Sequence, residues 1–315
     1  MQKNIPPNES VWKTMSYAKN WIEAIRPRTL PLSVSGILVG SGAAFSIGKG
    51  SWIVMLLALA TTICYQILSN LANDLGDGLK GTDNAHRIGP ARSIQKGAIS
   101  VAQMKRAIAL FVFLSVVFSG LLIYVGTRYM TLNTSVFYIG LAIACIVAAI
   151  TYTVGKKAYG YVGLGDPMVF LFFGIVTVCG VYPMHTGEFD LQLFFPATGI
   201  GMLSTAVLNL NNMRDYSNDK QMGKRTLVVM MGQDLAKLYH AFLLLAGIIC
   251  LVIWTVGLKI DWVIVSYIPL AVLLFHLYKV MGVKNVKDYD PELKVVALSV
   301  FATSILLFLT LVWNG

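Results

Sequence analysis

The chain has 315 residues, 56% of them hydrophobic and 13% charged, whereas a soluble globular protein carries roughly a quarter charged residues. That balance excludes a water-soluble globular class and predicts an all-α polytopic membrane protein. The formal net charge of +10 does not indicate nucleic acid, because the basic residues flank apolar runs, where Lys and Arg act as topology signals and headgroup contacts.

In chain order, a polar N-terminal segment (1–20) precedes apolar runs long enough to cross a hydrocarbon core of about 30 Å. The pattern predicts nine spans, near 22–46, 52–73, 107–126, 133–153, 162–182, 191–212, 238–257, 262–280 and 295–313. Pro27 and Pro31 interrupt the start of the first. Of the 25 Lys and Arg, 22 fall in the N-terminal segment and alternate loops, and only Lys49, Arg128 and Lys259 lie opposite. The positive-inside rule therefore predicts a cytoplasmic N-terminus and a C-terminus outside. Residues 1–315 read as a single transmembrane domain with a central cavity, and 74–106 and 213–237 as its two long cytoplasmic loops. Cys64, Cys145, Cys179 and Cys250 are scattered through apolar runs without metal-like or disulfide-like spacing.

Two polar clusters end helix-length apolar runs. Asn70-Leu71-Ala72-Asn73-Asp74-Leu75-Gly76-Asp77 closes the second span, with Asp83 beyond it. Asn209-Leu210-Asn211-Asn212-Met213-Arg214-Asp215 closes the sixth, with Asp219 beyond it. Asn70-x-x-x-Asp74 and Asn211-x-x-x-Asp215 share a spacing of four, 141 positions apart, which puts each pair on one helical face. Four spans separate them, so both face the same side of the membrane. Carboxylates in an apolar setting need cations or water. Asn70, Asp74 and Asp77, with Asn211, Asp215 and Asp219, offer the oxygen ligands that Mg²⁺ takes while bridging to phosphate. Gln66 and Asn73 extend the polar stripe, and Gly76, Gly78 and Gly81 allow the chain to leave the helix. A capped helix end meeting water is the simpler alternative for either cluster alone.

Arg87, Arg92, Lys156 and Lys224 are candidate diphosphate contacts, since Arg forks onto phosphate oxygens and Lys acts as a mobile charge. Each also suits a topology role. Tyr152, at the end of the fourth span, has either an interfacial role or a face for an allylic cation. Asp166 follows Gly165 at the start of the fifth span, where the helix dipole favours a carboxylate.

Over nearly its full length the chain resembles the UbiA-type intramembrane aromatic prenyltransferases. The resemblance is carried by Arg26-Pro27-Arg28-Thr29-Leu30-Pro31, the run Gln66 to Asp74, Asp77, Gly81 and Asp83, and Arg87-Ile88-Gly89-Pro90. It continues through Gln95-Lys96-Gly97, Gly163-Leu164-Gly165-Asp166, Asn209 to Asp215 with Asp219, and Gly223-Lys224-Arg225-Thr226-Leu227. Relatives acting on 4-hydroxybenzoate usually place a carboxylate four residues after Asp77. Gly81 stands there and Asp83 follows, as in the branch acting on 1,4-dihydroxy-2-naphthoate in menaquinone synthesis. Asp83 then either reaches the metal or organises the loop. The resemblance implies Mg²⁺ as cofactor, Asp74, Asp215 and Tyr152 in catalysis, and polyprenyl diphosphate and 1,4-dihydroxy-2-naphthoate as substrates. It implies a bacterial cytoplasmic membrane location and no protein partner. Another aromatic acceptor, or an ion-coupled transporter using the carboxylates at mid-membrane, are the competing readings.

Overall fold

The computed structural model describes residues 9–84, 88–89 and 92–314, and every regular element among them is helical. Helix α1 (Glu9–Ile25) stops at Arg26, whose backbone is left-handed (φ 55°, ψ 64°). A single 3₁₀ turn, Pro27–Thr29, leads into α2 (Leu30–Phe45). The expected first span at 22–46 is thus divided. A residue before proline is disfavoured in the α region, so Arg26-Pro27 breaks the helix. The 16 residues of α2 rise about 24 Å.

Eight further segments are long and apolar enough to cross a membrane. They are α3 (Trp52–Lys80), α4 (Val101–Thr127), α5 (Leu132–Thr151) and the composite Gly165–Thr186, then Leu191–Gln221, Gln233–Gly257, Trp262–Gly282 and Val286–Trp313. The composite consists of α6 (Gly165–Val169), a π-helical stretch Phe170–Val176, and α7 (Thr177–Thr186). The main helix of the next segment is α8 (Phe194–Gln221), followed by the short α9 (Leu227–Met231). The last three carry α10 (Gln233–Gly257), α11 (Tyr267–Gly282) and α12 (Tyr289–Trp313). All eight occupy the positions expected of spans two to nine.

Helix α8 lies at the centre, packed on α10, α12 and the π-helical stretch, while α2 packs on α12, α7 and α3. Leu203, Leu210 and Met213 of α8 join Leu244 of α10 and Val296 and Val300 of α12 in the largest apolar core. Small residues permit the closest contact: a Cβ on Gly174 would lie 2.6 Å from the Cα of Gly201. Helices α4 and α5 turn Phe113, Val116, Val136 and Ile143 outward, as lipid-facing helices do.

Two helices run further than expected. Helix α3 continues through Asp74 and Asp77 to a left-handed cap at Gly81 (φ 73°), and α8 continues through Asp215 and Asp219 to Gln221. The first parts of the expected loops 74–106 and 213–237 are therefore helical. Gly76 does not release the chain. It lets α3 press on the turn after α5, where a Cβ would meet the Thr153 carbonyl oxygen at 2.7 Å.

Candidate active site

The C-terminal end of α3 is held by the α1–α2 junction. Asn70 donates to the Ile25 carbonyl at 2.8 Å and to Thr29 Oγ1 at 3.1 Å, and Gln66 donates to Asn70 Oδ1 at 3.1 Å. One turn on, the buried Asp74 is paired with Arg26, and Arg92 Nε stands 3.7 Å from the same carboxylate oxygen. Arg92 also lies 3.9 Å from Asp83. Asn73 accepts from Thr153 Oγ1 at 3.2 Å. The left-handed turn at Arg26 thus aims a guanidinium at the first motif. A non-glycine residue keeps such a conformation only where its surroundings over-determine it.

The C-terminal end of α8 repeats the pattern with a local partner. Arg214 donates through Nε and Nη2 to the two oxygens of Asp215, both at 2.8 Å, and through Nη2 to Asn211 Oδ1 at 2.7 Å. Its Nη1 reaches Asp290, at the start of α12, at 2.5 Å. The guanidinium is 2% exposed, so this residue, which the charge pattern marks only as a topology signal, is a buried element of the site.

The two motifs meet around Tyr161 and Lys224. Tyr161 donates to Asp77 Oδ1 at 2.7 Å, and its hydroxyl lies 2.6 Å from Thr82 Oγ1. Asn218 of α8 donates to the Thr82 carbonyl at 2.9 Å, and the Arg225 amide donates to the Tyr161 carbonyl at 3.0 Å. Lys80 and Lys224 place their ammonium groups 4.0 and 5.4 Å from the Tyr161 ring centre, within cation–π range. Lys224 also stands 3.9 Å from Asp219. Burial pulls the Lys224 pKa down, but the carboxylates of Asp77 and Asp219 outweigh it and the net shift is upward. Burial, then the Asp77 charge, raises the Tyr161 phenol, so it stays a neutral donor.

Beyond this polar end lies a cavity of about 290 Å³ between α2, α3, α4, α5 and the π-helical stretch. Its polar rim is Gln66, Asn70, Asn73 and Tyr152, and it deepens past Cys145, Phe172 and Val176 to Leu122, Val181 and Met184. The π-helical stretch supplies Phe172, Phe173 and Val176 to this wall, a local distortion of the kind often found at functional sites. Tyr152 stands at the mouth, its ring edge-on to Tyr159 with centroids 5.2 Å apart.

Of the residues singled out from sequence, Asn70, Asp74, Asp77, Asp83 and Arg92 gather around α3, and Asn211, Asp215, Asp219 and Lys224 around α8. Gln66, Asn73 and Tyr152 line the cavity between motif and apolar wall. Lys156 is exposed in the turn after α5, and Lys80 and Lys224 are the lysines that flank Tyr161. Arg87 lies outside the described residues. Asp166 is buried in the first turn of α6. Sequence reasoning missed Arg26 and Arg214 as site residues, and Tyr161, Asn218 and Asp290 altogether. The available signals were Arg214 inside the second motif, an arginine in an otherwise uncharged helical face, and Arg26 in the Arg26-Pro27-Arg28 run that carries the resemblance.

The donors are hard oxygens, the chemistry Mg²⁺ takes. Among the described residues no three His, Cys, Asp or Glu side chains form a cage. That suits an ion held by one or two carboxylates and completed by substrate phosphate.

The UbiA prenyltransferase family matches residues 33–312, and the chain belongs to that family. Among individual relatives, the 1,4-dihydroxy-2-naphthoate octaprenyltransferase of Haemophilus influenzae is 45% identical over 246 residues, covering 78% of this chain and 79% of that one. The enzyme of the same name from Escherichia coli is 46% identical over 240 residues, covering 76% and 77%. That from Mycobacterium tuberculosis is 34% identical over 260 residues, covering 82% and 85%. In three dimensions the fold resembles the apo UbiA homologue of Aeropyrum pernix (TM-score 0.69, 15% identity, 89% of this chain and 98% of that one). It also resembles the Archaeoglobus fulgidus UbiA homologue solved with DMAPP and Mg²⁺ (TM-score 0.62, 15% identity, 91% and 99%).

Proposed function

We propose that this chain transfers a polyprenyl group from its diphosphate to 1,4-dihydroxy-2-naphthoate, releasing CO₂ and diphosphate and giving the hydroquinone form of demethylmenaquinone for menaquinone synthesis. The reaction class is supported above all by the meeting of the two acidic motifs around Tyr161 and Lys224, with Asn70 and Asn73 of the first motif at the polar rim of an apolar cavity. The acceptor is supported by the 45% identity with a naphthoate octaprenyltransferase over most of both chains.

Asn70, Asp74, Asp77, Asn211, Asp215 and Asp219 would hold Mg²⁺, which supplies Lewis-acid stabilisation to the leaving diphosphate. Arg92, Lys80 and Lys224 draw the diphosphate oxygens to the rim and neutralise charge as the C–O bond breaks. The allylic carbon then lies beside Tyr152, whose ring face stabilises positive charge. The apolar wall keeps water from the cation. The naphthoate ring carbon bearing the carboxyl group attacks it; the C–COO⁻ bond breaks, its electron pair restores aromaticity, and CO₂ leaves. A cavity of about 290 Å³ is at the small end of ligand pockets, so a long prenyl tail continues beyond it into the bilayer. In this reading α2 is the first of nine crossings, the N-terminus is cytoplasmic, and the protein resides in a bacterial cytoplasmic membrane.

The test uses purified protein, Mg²⁺, a prenyl diphosphate and carboxyl-labelled 1,4-dihydroxy-2-naphthoate. One label should leave as CO₂ for each chain transferred. Efficient prenylation of 4-hydroxybenzoate, whose carboxyl group is retained, without turnover of the naphthoate would overturn the acceptor assignment.

A further inference from the structure

The motif carboxylates already carry basic partners. Asp74 is paired with Arg26 and lies 3.7 Å from Arg92, and Arg92 is 3.9 Å from Asp83. Arg214 grips both oxygens of Asp215, and Lys224 stands 3.9 Å from Asp219 within the field of Asp77. A divalent cation arriving alone must displace a guanidinium from Asp74 or Asp215 and then remain beside that displaced charge. A diphosphate arriving alone meets cations that are already committed to carboxylates. Arriving together, the metal takes the carboxylates while the freed guanidinium groups turn their forks to phosphate oxygens. Arg214 has a foothold for this exchange, since Nη1 stays on Asp290 when Nε and Nη2 leave Asp215.

Resting on the metal-dependent reading above, we propose that Arg26 and Arg214 are built-in counter-ions that suppress the binding of free divalent metal. Metal and prenyl diphosphate therefore load as a strongly coupled pair. The lack of an all-carboxylate cage among the described residues agrees with this, because the phosphates must complete the ion's coordination.

The experiment is equilibrium dialysis of Mn²⁺ against the purified full-length protein in detergent, with and without the unreactive S-thiolodiphosphate analogue of a farnesyl substrate. The wild type should bind Mn²⁺ about tenfold to a hundredfold more tightly with the analogue, and Mn²⁺ should tighten the analogue by the same factor. Arg26→Gln and Arg214→Gln should each tighten Mn²⁺ alone and shrink that coupling about tenfold. Because Arg214→Gln strands buried carboxylates, Arg26→Gln provides an independent variant at the other motif. Thermal melting of the wild type adds a check without substitution, in which Mn²⁺ and analogue together should raise Tm by more than their separate effects combined. Equal Mn²⁺ affinity with and without analogue overturns the counter-ion role and leaves the metal site intact. Coupling unchanged in the folded variants likewise removes the arginines as its source. Absence of Mn²⁺ binding under both conditions overturns the metal site and this inference with it.

Discussion

Asp74 and Asp215 hold the same helical position in two motifs, and each is almost wholly withdrawn from solvent among basic groups. Asp74→Asn and Asp215→Asn keep shape and hydrogen bonding while removing the charge opposite a leaving diphosphate. Each should lower kcat by roughly a thousandfold or more, a loss of several kcal/mol in transition-state stabilisation, with the elution profile in detergent unchanged. Near-normal turnover at limiting Mg²⁺ would defeat the assignment. Tyr161→Phe is a subtler change, deleting only the hydroxyl that joins Asp77 to Thr82. A hydrogen bond to a charged acceptor contributes about 1.5–3 kcal/mol, so steady-state kinetics should show kcat/KM lower by about tenfold or more. Lys224 should keep its charge well into the alkaline range, because its net pKa shift is upward. Lys224→Gln should therefore weaken prenyl diphosphate binding about equally at pH 6 and pH 9, measured as KM. A defect confined to one end of that range would contradict the assigned charge state.

At the level of elements, close helix packing sets the geometry. Helix α8 approaches the π-helical stretch through Gly201 and Gly174, where a Cβ on Gly201 would sit 2.8 Å from the Phe170 carbonyl oxygen. Gly201→Leu should force α8 away from that wall. Overpacking of this kind costs about 1–3 kcal/mol, visible as a lower melting temperature in detergent, and unchanged melting would show that the contact is slack. A second tie joins α10, α11 and α12. His240 of α10 and His276 of α11 bring their Nε2 atoms within 2.9 Å, and His276 Nδ1 meets Glu292 of α12 at 2.5 Å. This buried chain braces the start of α12, which carries Asp290. The apolar periodicity located these helices, but the His–His–Glu chain was invisible in it, since its members lie 36 and 16 residues apart.

For the whole molecule, the 22-to-3 partition of Lys and Arg is the observation with the longest reach. Single cysteines placed at Lys156 and Lys284 should react with a membrane-impermeant thiol reagent only from the cytoplasmic side, and those at Lys49 and Arg128 only from outside. The opposite pattern, or labelling of both sets from one side, would overturn the nine-crossing topology. The expected first span is where this scale departs most from the linear pattern. The chain breaks at Arg26-Pro27 and spends the break on the site, supplying Arg26 to Asp74 and Thr29 to Asn70. What reads as a flawed span is the lid of the first motif.

The sequence by itself determined the membrane class, the positions of eight long apolar helices and the two acidic motifs. Each depends on local composition or short spacing: burial in lipid demands long apolar runs, and a four-residue interval puts oxygen donors on one helical face. Only the tertiary structure decided that both motifs stay helical, that Gly76 serves packing rather than an exit, and that Lys80 and Lys224 rather than Lys156 flank Tyr161. It alone decided that Arg26 lies against Asp74, 48 residues away, and that Asp290 supports Arg214, 76 residues away. The physical reason is that a buried charge must find an opposite charge somewhere in the fold, and nothing in the linear order says where the chain will bring one.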